Sequence, residues 1–222
     1  MKIDILTLFP DMFTAFLNES IIGRAIRNKQ VEVEVHDIRF YSKDPHKKVD
    51  DYGFGGGRGM VLMCQPIFDA VDALKREDTI VILMTPQGKQ YKQKDAKILS
   101  QCQHLLFICG HYEGFDERIR SIVDMELSIG DFILTGGEIP SMAIIDSIIR
   151  LLPGVITKQS HEKESFNENL LDYPVYTKPR DFRGMLVPEV LLSGHHKNIE
   201  MFRLEEQLKR TKDRRPDLLE KS

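Results

Sequence analysis

Short apolar runs rich in β-branched residues alternate with stretches of helical period from Met1 to Val155. This alternation is typical of an open, mostly parallel sheet covered by helices, and it predicts an α/β domain. The predicted helix Met142–Leu152 is apolar on nearly every side, so it should be buried in the core or against a second subunit. The predicted strands are Ile3–Leu8, Val31–Ile38, Thr79–Met84, Leu105–Cys109 and Met125–Ser128, and the clearest helices are Pro66–Lys75, Gln93–Ser100 and Met142–Leu152.

The pattern changes after Pro153 and Gly154, because residues 157–168 are polar and have no apolar period. We interpret that stretch as a linker. Residues 169–222 have a helical period over Lys197–Arg210 and are too few for a large independent core, so they predict a small helical C-terminal domain. The predicted organisation is a catalytic domain over 1–156, a linker over 157–168 and a C-terminal domain over 169–222.

Composition narrows the class of protein. The 222 residues are 41% hydrophobic and 29% charged, which excludes disordered and fibrous proteins. No window approaches the roughly 20 apolar residues that cross a bilayer, and the N-terminal segment is interrupted by Asp4 and Asp11, unlike a signal peptide. We therefore expect a cytoplasmic protein without a membrane partner.

The spacing of the cysteines and the distribution of charge lead to further predictions. Cys64, Cys102 and Cys109 have no CxxC spacing, so we interpret them as core residues and predict no metal site. The net charge of −3 argues against a purely electrostatic nucleic-acid binder, yet Lys209, Arg210, Lys212, Arg214 and Arg215 form a local basic run. That run is either a phosphate-binding face or a solvated helix face.

Glycine-rich segments supply candidate binding loops. Gly53–Gly59 matches neither the P-loop nor the dinucleotide-binding fingerprint, and is either a mobile connection or a lid that orders against RNA or cofactor. Thr85–Gly88, Gly110–Gly114 and Ser128–Pro140 each follow a predicted strand. Since ligands bind outside the carboxyl ends of parallel strands, these three turns predict a backbone-lined pocket suited to a neutral base such as adenine.

These segments, in this order, resemble the bacterial tRNA (guanine-N1)-methyltransferase family, TrmD, of the knotted SPOUT class. The resemblance covers nearly the whole chain. It is carried by LFP (Leu8–Pro10), YGFGGGRGMV (Tyr52–Val61), TPQG (Thr85–Gly88), GHYEGFDER (Gly110–Arg118), SIGDFILTGGEIP (Ser128–Pro140), LLPGV (Leu151–Val155), LLDYPVYTKP (Leu170–Pro179), VLLSGHH (Val190–His196) and RRPDLL (Arg214–Leu219).

The resemblance implies a deep trefoil knot, S-adenosylmethionine as methyl donor, a homodimer with a shared active site, and guanosine 37 of tRNA as the target. Mg²⁺ is an additional candidate cofactor. The resemblance also implies which residues contact the donor. They are Pro86, Gly110, Tyr112, Gly114, Ile129, Gly130, Asp131, Phe132, Ile133, Leu134, Gly136, Gly137 and Pro140.

Guanine N1 carries a proton at neutral pH, so its methylation needs a base and a cation near O6. By resemblance the base is Glu164 of the ESF motif and the cation is Arg150 of RLLPG. Glu164 departs from the aspartate usual in the family, and Asp172 is the alternative base. Glu113 is expected to handle the donor's amino group or a metal, or else to cap the following helix.

The same resemblance implies that the linker and the C-terminal domain help to bind tRNA across the dimer. We predict RNA contacts for Lys209, Arg210, Arg214, Arg215 and His195, the last because paired histidines without other ligands favour RNA or solvent over a metal. Two alternatives stay open: a knotted methyltransferase acting on another RNA, and a non-catalytic RNA-binding protein of the same fold.

Overall fold

The computed structural model describes residues 1–56, 59–157, 164–166 and 169–220. The chain divides into two compact units, Met1–Ile156 and Thr157–Ser222. The strands are β1 (Lys2–Thr7), β2 (Glu32–Asp37), β3 (Asp50–Tyr52), β4 (Met60–Leu62), β5 (Thr79–Gln90), β6 (His104–Cys109), β7 (Met125–Ser128), β8 (Asp181–Phe182) and β9 (Met185–Leu186). The α-helices are α1 (Thr14–Asn18), α2 (Ser20–Arg27), α3 (Cys64–Leu74), α4 (Gln93–Leu99), α5 (Glu138–Ile149), α6 (Glu189–Leu192) and α7 (His196–Arg214).

The first unit is built on a five-stranded sheet in the order β2-β1-β6-β5-β7, and every pairing in it is parallel. Each of the five predicted strands is present in this sheet, so the predicted α/β architecture with a parallel sheet is confirmed. The central strands are apolar on both faces because helices cover both sides. Ile3 and Phe107 pack with α5 on one side, whereas Leu106 and Ile108 pack with α3 on the other.

Helix α5 begins at Glu138, four residues before the predicted start. The prediction placed Pro140 in a loop. Pro140 is instead the third helical residue, where the backbone N–H has no intrahelical partner, so proline removes no hydrogen bond there. The isoleucines Ile144, Ile145, Ile148 and Ile149 are fully buried, as the apolar pattern predicted.

The cysteines are free thiols. Cys109 is fully buried in the core, as predicted, and burial raises the pKa of its thiol above the ordinary value. Cys64 and Cys102 are half-buried and pack against the two core clusters.

The second unit carries the short hairpin β8–β9 and the helices α6 and α7. Helix α7 is longer than the predicted Lys197–Arg210 by one residue at its start and four at its end. Its Thr211 is fully buried and accepts a hydrogen bond from the Leu171 backbone N–H at 2.9 Å. The Arg203 guanidinium lies 4.7 Å from the centre of the Tyr173 ring, so α7 is tied to the segment that precedes it. Among the described residues, no helix is both long and apolar enough to span a membrane.

Candidate functional site

A cavity of about 360 Å³ lies in the first unit, at the carboxyl edge of the sheet. Three segments form its wall: residues 84–87, residues 110–115, and residues 127–130 and 132–137 together with Pro140. Glu117 and Arg120, from the 3₁₀-helix Glu117–Ile122, complete the lining. The strands β5, β6 and β7 thus deliver the three glycine-containing segments to one place, where parallel α/β sheets bind ligands.

The segment Thr85–Gly88 departs from its prediction, because it lies within β5 and not after it. Met84 and Lys89 both pair with Leu127, so the four residues between them leave the β5–β7 ladder as a bulge. Pro86 has no N–H to give to a ladder, which favours this departure. Thr85, Pro86 and Gln87 of the bulge line the cavity, and the strand pairing resumes at Lys89.

The segment that follows β7 passes directly against the turn that follows β6. The Gly137 N–H donates to the Gly110 carbonyl oxygen at 2.8 Å, and His111 and Gly136 form an isolated antiparallel bridge. A Cβ on Gly137 would lie 2.8 Å from both the Cys109 Cα and the Gly110 nitrogen. Only a glycine allows two backbones to approach this closely, so the glycine has a packing role here.

Hairpin β3–β4 is joined to the same turn. The Glu113 N–H donates to the Met60 carbonyl oxygen at 3.1 Å, and the Leu62 N–H donates to the Gly114 carbonyl oxygen at 3.0 Å. A Cβ on Gly59 would meet the Glu113 side chain at 2.4 Å. The end of the predicted lid Gly53–Gly59 therefore packs on the cavity wall, although Gly57 and Arg58 of that segment lie outside the described residues.

The turn itself is strained at one position. Tyr112 has φ +61°, a left-handed conformation that residues other than glycine seldom adopt. Its ring is edge-on to His111. Burial and the nearby Asp50 carboxylate raise the pKa of the Tyr112 phenol, so it remains protonated at neutral pH.

The cavity combines backbone groups and apolar side chains with few charges. Glu113, Glu117 and Arg120 supply the charges, and His111 has a buried Nδ1 with no hydrogen-bond partner among the described residues. An unpaired buried donor or acceptor is unfavourable and is typical of a site completed by a polar ligand. The arrangement fits a ligand with an apolar body, a cation at one end and hydrogen-bonding edges.

Every predicted donor-contact residue lines this cavity except Asp131, whose side chain is exposed to solvent. Sequence reasoning did not name several other lining residues. Several of them, including Gln87 beside Pro86, lie next to predicted residues in the same segments, and that position was a signal. Arg120 lies outside the named motifs and had no such signal. These additional residues are Met84, Thr85, Gln87, His111, Phe115, Glu117, Arg120, Leu127, Ser128 and Thr135.

The predicted guanine-directed residues belong to different units. Arg150 caps the carboxyl end of α5 in the first unit, whereas Glu164 and Asp172 belong to the second unit. The Asp172 N–H donates to Ser165 Oγ at 2.9 Å, and the Phe166 N–H donates to the Leu170 carbonyl oxygen at 2.8 Å. These bonds place the ESF motif beside Asp172, so both candidate bases lie in one local structure.

The predicted RNA contacts are distributed over α7 and its ends. Lys209, Arg210 and Arg214 are on the helix, and His195 caps its start. Arg215 is already engaged, because two of its nitrogens each lie 2.8 Å from an Asp217 carboxylate oxygen. Its guanidinium also lies 5.9 Å from the centre of the Phe166 ring, which joins the basic run to the ESF motif.

A second polar cluster, here called the amino-end network, lies away from the cavity and was not predicted. The fully buried Asp4 carboxylate contacts His36 Nε2 and His104 Nε2, each at 2.7 Å, and His104 Nδ1 lies 2.6 Å from Thr79 Oγ1. Asp4, Glu34 and His36 have a spacing compatible with a metal. The Lys2 ammonium, however, contacts both of those carboxylates, at 3.5 Å and 3.1 Å, and already occupies the position of a cation.

Comparison with known proteins identifies a family and several similar proteins. The model of the family "tRNA (Guanine-1)-methyltransferase TrmD" matches residues 1–221. The tRNA (guanine-N(1)-)-methyltransferase of Ruminiclostridium cellulolyticum is 57% identical, over 100% of this chain and 97% of that protein. Proteins of the same name from Ureaplasma urealyticum serovar 10 and Listeria welshimeri are 56% and 57% identical, over 100% and 99% of this chain and 97% and 92% of theirs.

Proposed function

Because the chain belongs to the tRNA (guanine-1)-methyltransferase family, TrmD, we propose that it transfers a methyl group from S-adenosylmethionine to N1 of guanosine 37 in tRNA. The observation that carries the proposal is the cavity at the carboxyl edge of the sheet, lined by backbone and apolar groups. The family match indicates which reaction is catalysed, and the cavity is the proposed binding site of the methyl donor.

The donor would bind between the three wall segments. When bound, S-adenosylmethionine supplies an electrophilic methyl group on a sulfonium centre. The Gly110 and Gly136 segments bring backbone N–H and C=O groups to its adenine edges, and Leu127 and Ile129 offer apolar surface. Glu113 is the carboxylate for the donor's amino group, and the unpaired Nδ1 of His111 is available for one more polar contact.

A trefoil knot is part of the proposal. Support comes from the Gly137–Gly110 hydrogen bond and the close backbone approach at Gly137, which bring the chain after β7 against the turn after β6 before it enters α5. A knotted segment holds its loops in place without covalent links. That rigidity suits a site whose work is to position two reactants within about 3–3.5 Å of each other.

On the acceptor side, the Glu164 carboxylate would take the N1 proton of guanine as the N1–methyl bond forms and the donor's sulfur–methyl bond breaks, leaving a neutral thioether. Negative charge that develops on O6 would be stabilised by the Arg150 guanidinium. A placed base typically contributes about 10²- to 10⁴-fold and a donor at the developing oxyanion about 10²- to 10³-fold. Asp172, close to the ESF motif through the Ser165 hydrogen bond, is the alternative base.

The two halves of this chemistry would meet in a homodimer. Large apolar side chains are exposed in the segment after β7 and at the start of α5, where Ile133 is 78% and Ile139 51% exposed. Their exposure supports a second subunit packed against this surface. The linker and the C-terminal unit would grip tRNA through Lys209, Arg210, Arg214, Arg215 and His195. Mg²⁺ is proposed only as an auxiliary ion near Glu113, and the compartment as the cytoplasm.

Labelled methyl transfer to two tRNA transcripts tests the proposal. Methylation of the transcript with G37 and none of the same transcript with A37 is the expected result. Glu164→Gln and Arg150→Ala should each lower kcat by about 10²-fold or more while calorimetric binding of S-adenosylmethionine stays unchanged. Methylation of both transcripts, or full turnover by both variants, would contradict the guanine-N1 mechanism.

A further inference from the structure

Thr85, Pro86 and Gln87 of the bulge Thr85–Gly88 line the cavity, and the register of the β5–β7 ladder is interrupted at this bulge. Pairing stops at Met84 and resumes at Lys89, so within the described part of the chain residues 85–88 have no partners in the ladder. Inside the bulge, the Gln87 N–H donates to Thr85 Oγ1 at a long 3.3 Å. Gly88 packs on the β7 backbone, since a Cβ there would lie 2.5 Å from the Leu127 nitrogen, and side-chain contacts help to position the residues before it.

Arg120 supplies such a bond. Its Nη2 donates to Gln87 Oε1 at 2.6 Å. The same guanidinium donates through Nη1 to the Glu126 carboxylate on β7 and through Nε to Glu117 Oε2 at 3.0 Å. One planar group therefore joins the bulge, a strand and a 3₁₀-helix, which requires the fork of donors that arginine has and lysine lacks.

The three contacts of Arg120, with Glu126, Glu117 and Gln87, differ in how far they are exposed to solvent, and the less exposed ones contribute more. The Arg120 and Glu126 side chains are 26% and 30% exposed, whereas Glu117 is 84% exposed and Gln87 is also exposed. The Glu117 contact is largely solvated and contributes little. Glu126 neighbours Leu127 in β7, so it holds the guanidinium on the rigid sheet, and the remaining donor reaches out to Gln87.

We propose that Arg120 is a positioning residue for the methyl-donor site: it fixes the bulge Thr85–Gly88 on β7 through Gln87 and so holds Pro86 in place against the donor. The role rests on the proposed function, since the donor is the ligand of this cavity. Arg120 acts through Gln87 and contributes more by its geometry than by its charge.

Calorimetric titration of the full-length protein with S-adenosylmethionine tests the role. Arg120→Ala and Gln87→Ala should each raise the Kd by about three- to tenfold, the range expected for a charge-assisted hydrogen bond to a side chain that is exposed to solvent. The double variant should be no weaker than either single variant, because both remove the same joint. Arg120→Lys should stay weak, and KM for tRNA should not change in any of them.

Arg118→Ala is the matched control. Arg118 is in the same 3₁₀-helix, pairs with Asp116 at 2.7 Å, is 72% exposed and does not line the cavity. Its removal should leave the Kd within about twofold, as for a solvent-exposed ion pair.

Three results would overturn the role of Arg120: donor binding by Gln87→Ala equal to that of the unmodified protein, additive losses in the double variant, or full recovery with Arg120→Lys. Gln87→Ala keeps the test decisive even where Arg120→Ala does not fold. If the unmodified protein bound no S-adenosylmethionine, the proposed function itself would fail, and that result is distinct from these three.

Discussion

At the amino end of the central sheet the Asp4 carboxylate is fully buried and contacts His36 and His104, whereas at the carboxyl edge His111 has a buried Nδ1 with no partner among the described residues. The amino-end network is complete within the protein itself. The cavity wall contains one buried polar atom, His111 Nδ1, that a ligand could pair with. Polar groups that stabilise a fold are paired internally, whereas those that serve binding are held ready for a ligand, so the contrast separates stability from function within one sheet.

The largest expected effect comes from breaking the amino-end network. Asp4→Ala leaves His36 and His104 without their carboxylate and should lower the free energy of unfolding by about 3–5 kcal/mol. Urea unfolding measures the loss. Donor affinity, measured on the folded fraction, should be that of the unmodified protein, and a weakened affinity would show that the two ends are not separable.

At the carboxyl edge, Gly137→Ala should affect binding and stability together. Its Cβ would press on backbone atoms of Cys109 and Gly110 that cannot yield, so the Kd for S-adenosylmethionine should rise about 10²-fold. Overpacking should also lower the free energy of unfolding by about 1–3 kcal/mol. Gly53→Ala is the control, because its Cβ would meet Val61 at an ordinary 3.6 Å; equal losses in both variants would contradict the close-approach argument.

The pH dependence of stability should follow the amino-end network. Burial alone would raise the pKa of Asp4, but the hydrogen bonds from His36 and His104 outweigh it, and the pKa is lowered. The Asp4 contribution is therefore present above the unfolded-state pKa of about 3.9 and is lost as pH falls through the lower folded-state value. Acid titration of the unfolding free energy should be steeper below about pH 4 for the unmodified protein than for Asp4→Asn.

The smallest effect on stability should come from His111→Phe. The substitution removes a buried nitrogen that has no partner among the described residues and keeps an aromatic ring against Phe9, whose ring centre lies 4.9 Å away. The free energy of unfolding should change by less than about 1 kcal/mol. Donor affinity should nevertheless fall several-fold, and a large loss of stability with unchanged affinity would place His111 with the structural residues.

The central strands β1, β5 and β6 were predictable because buried parallel strands are short apolar runs, whereas the edge strand β2 was predictable from Val33 and Val35 alternating with glutamates. The donor-contact set was predictable from motifs for a related reason, since its members are contiguous in three short segments. The contact between Arg120 and Gln87 was not predictable, because the two residues meet only when the bulge, the 3₁₀-helix and β7 are brought together. The predicted start of α5 was wrong because proline usually indicates the end of a helix, and only the structure shows that Pro140 lies in the first helical turn.

The sequence by itself determined the α/β architecture, the family and the three glycine segments, since each is written in local patterns of apolar residues, glycines and motif order. The tertiary structure alone decided that TPQG is a bulge within β5, that Gly137 is needed by a backbone crossing, and that Asp4 joins two histidines from other strands. The reason is physical. Hydrophobic period and turn preference act between near neighbours, whereas a hydrogen bond between Arg120 and Gln87, 33 residues apart, exists only after the chain has folded.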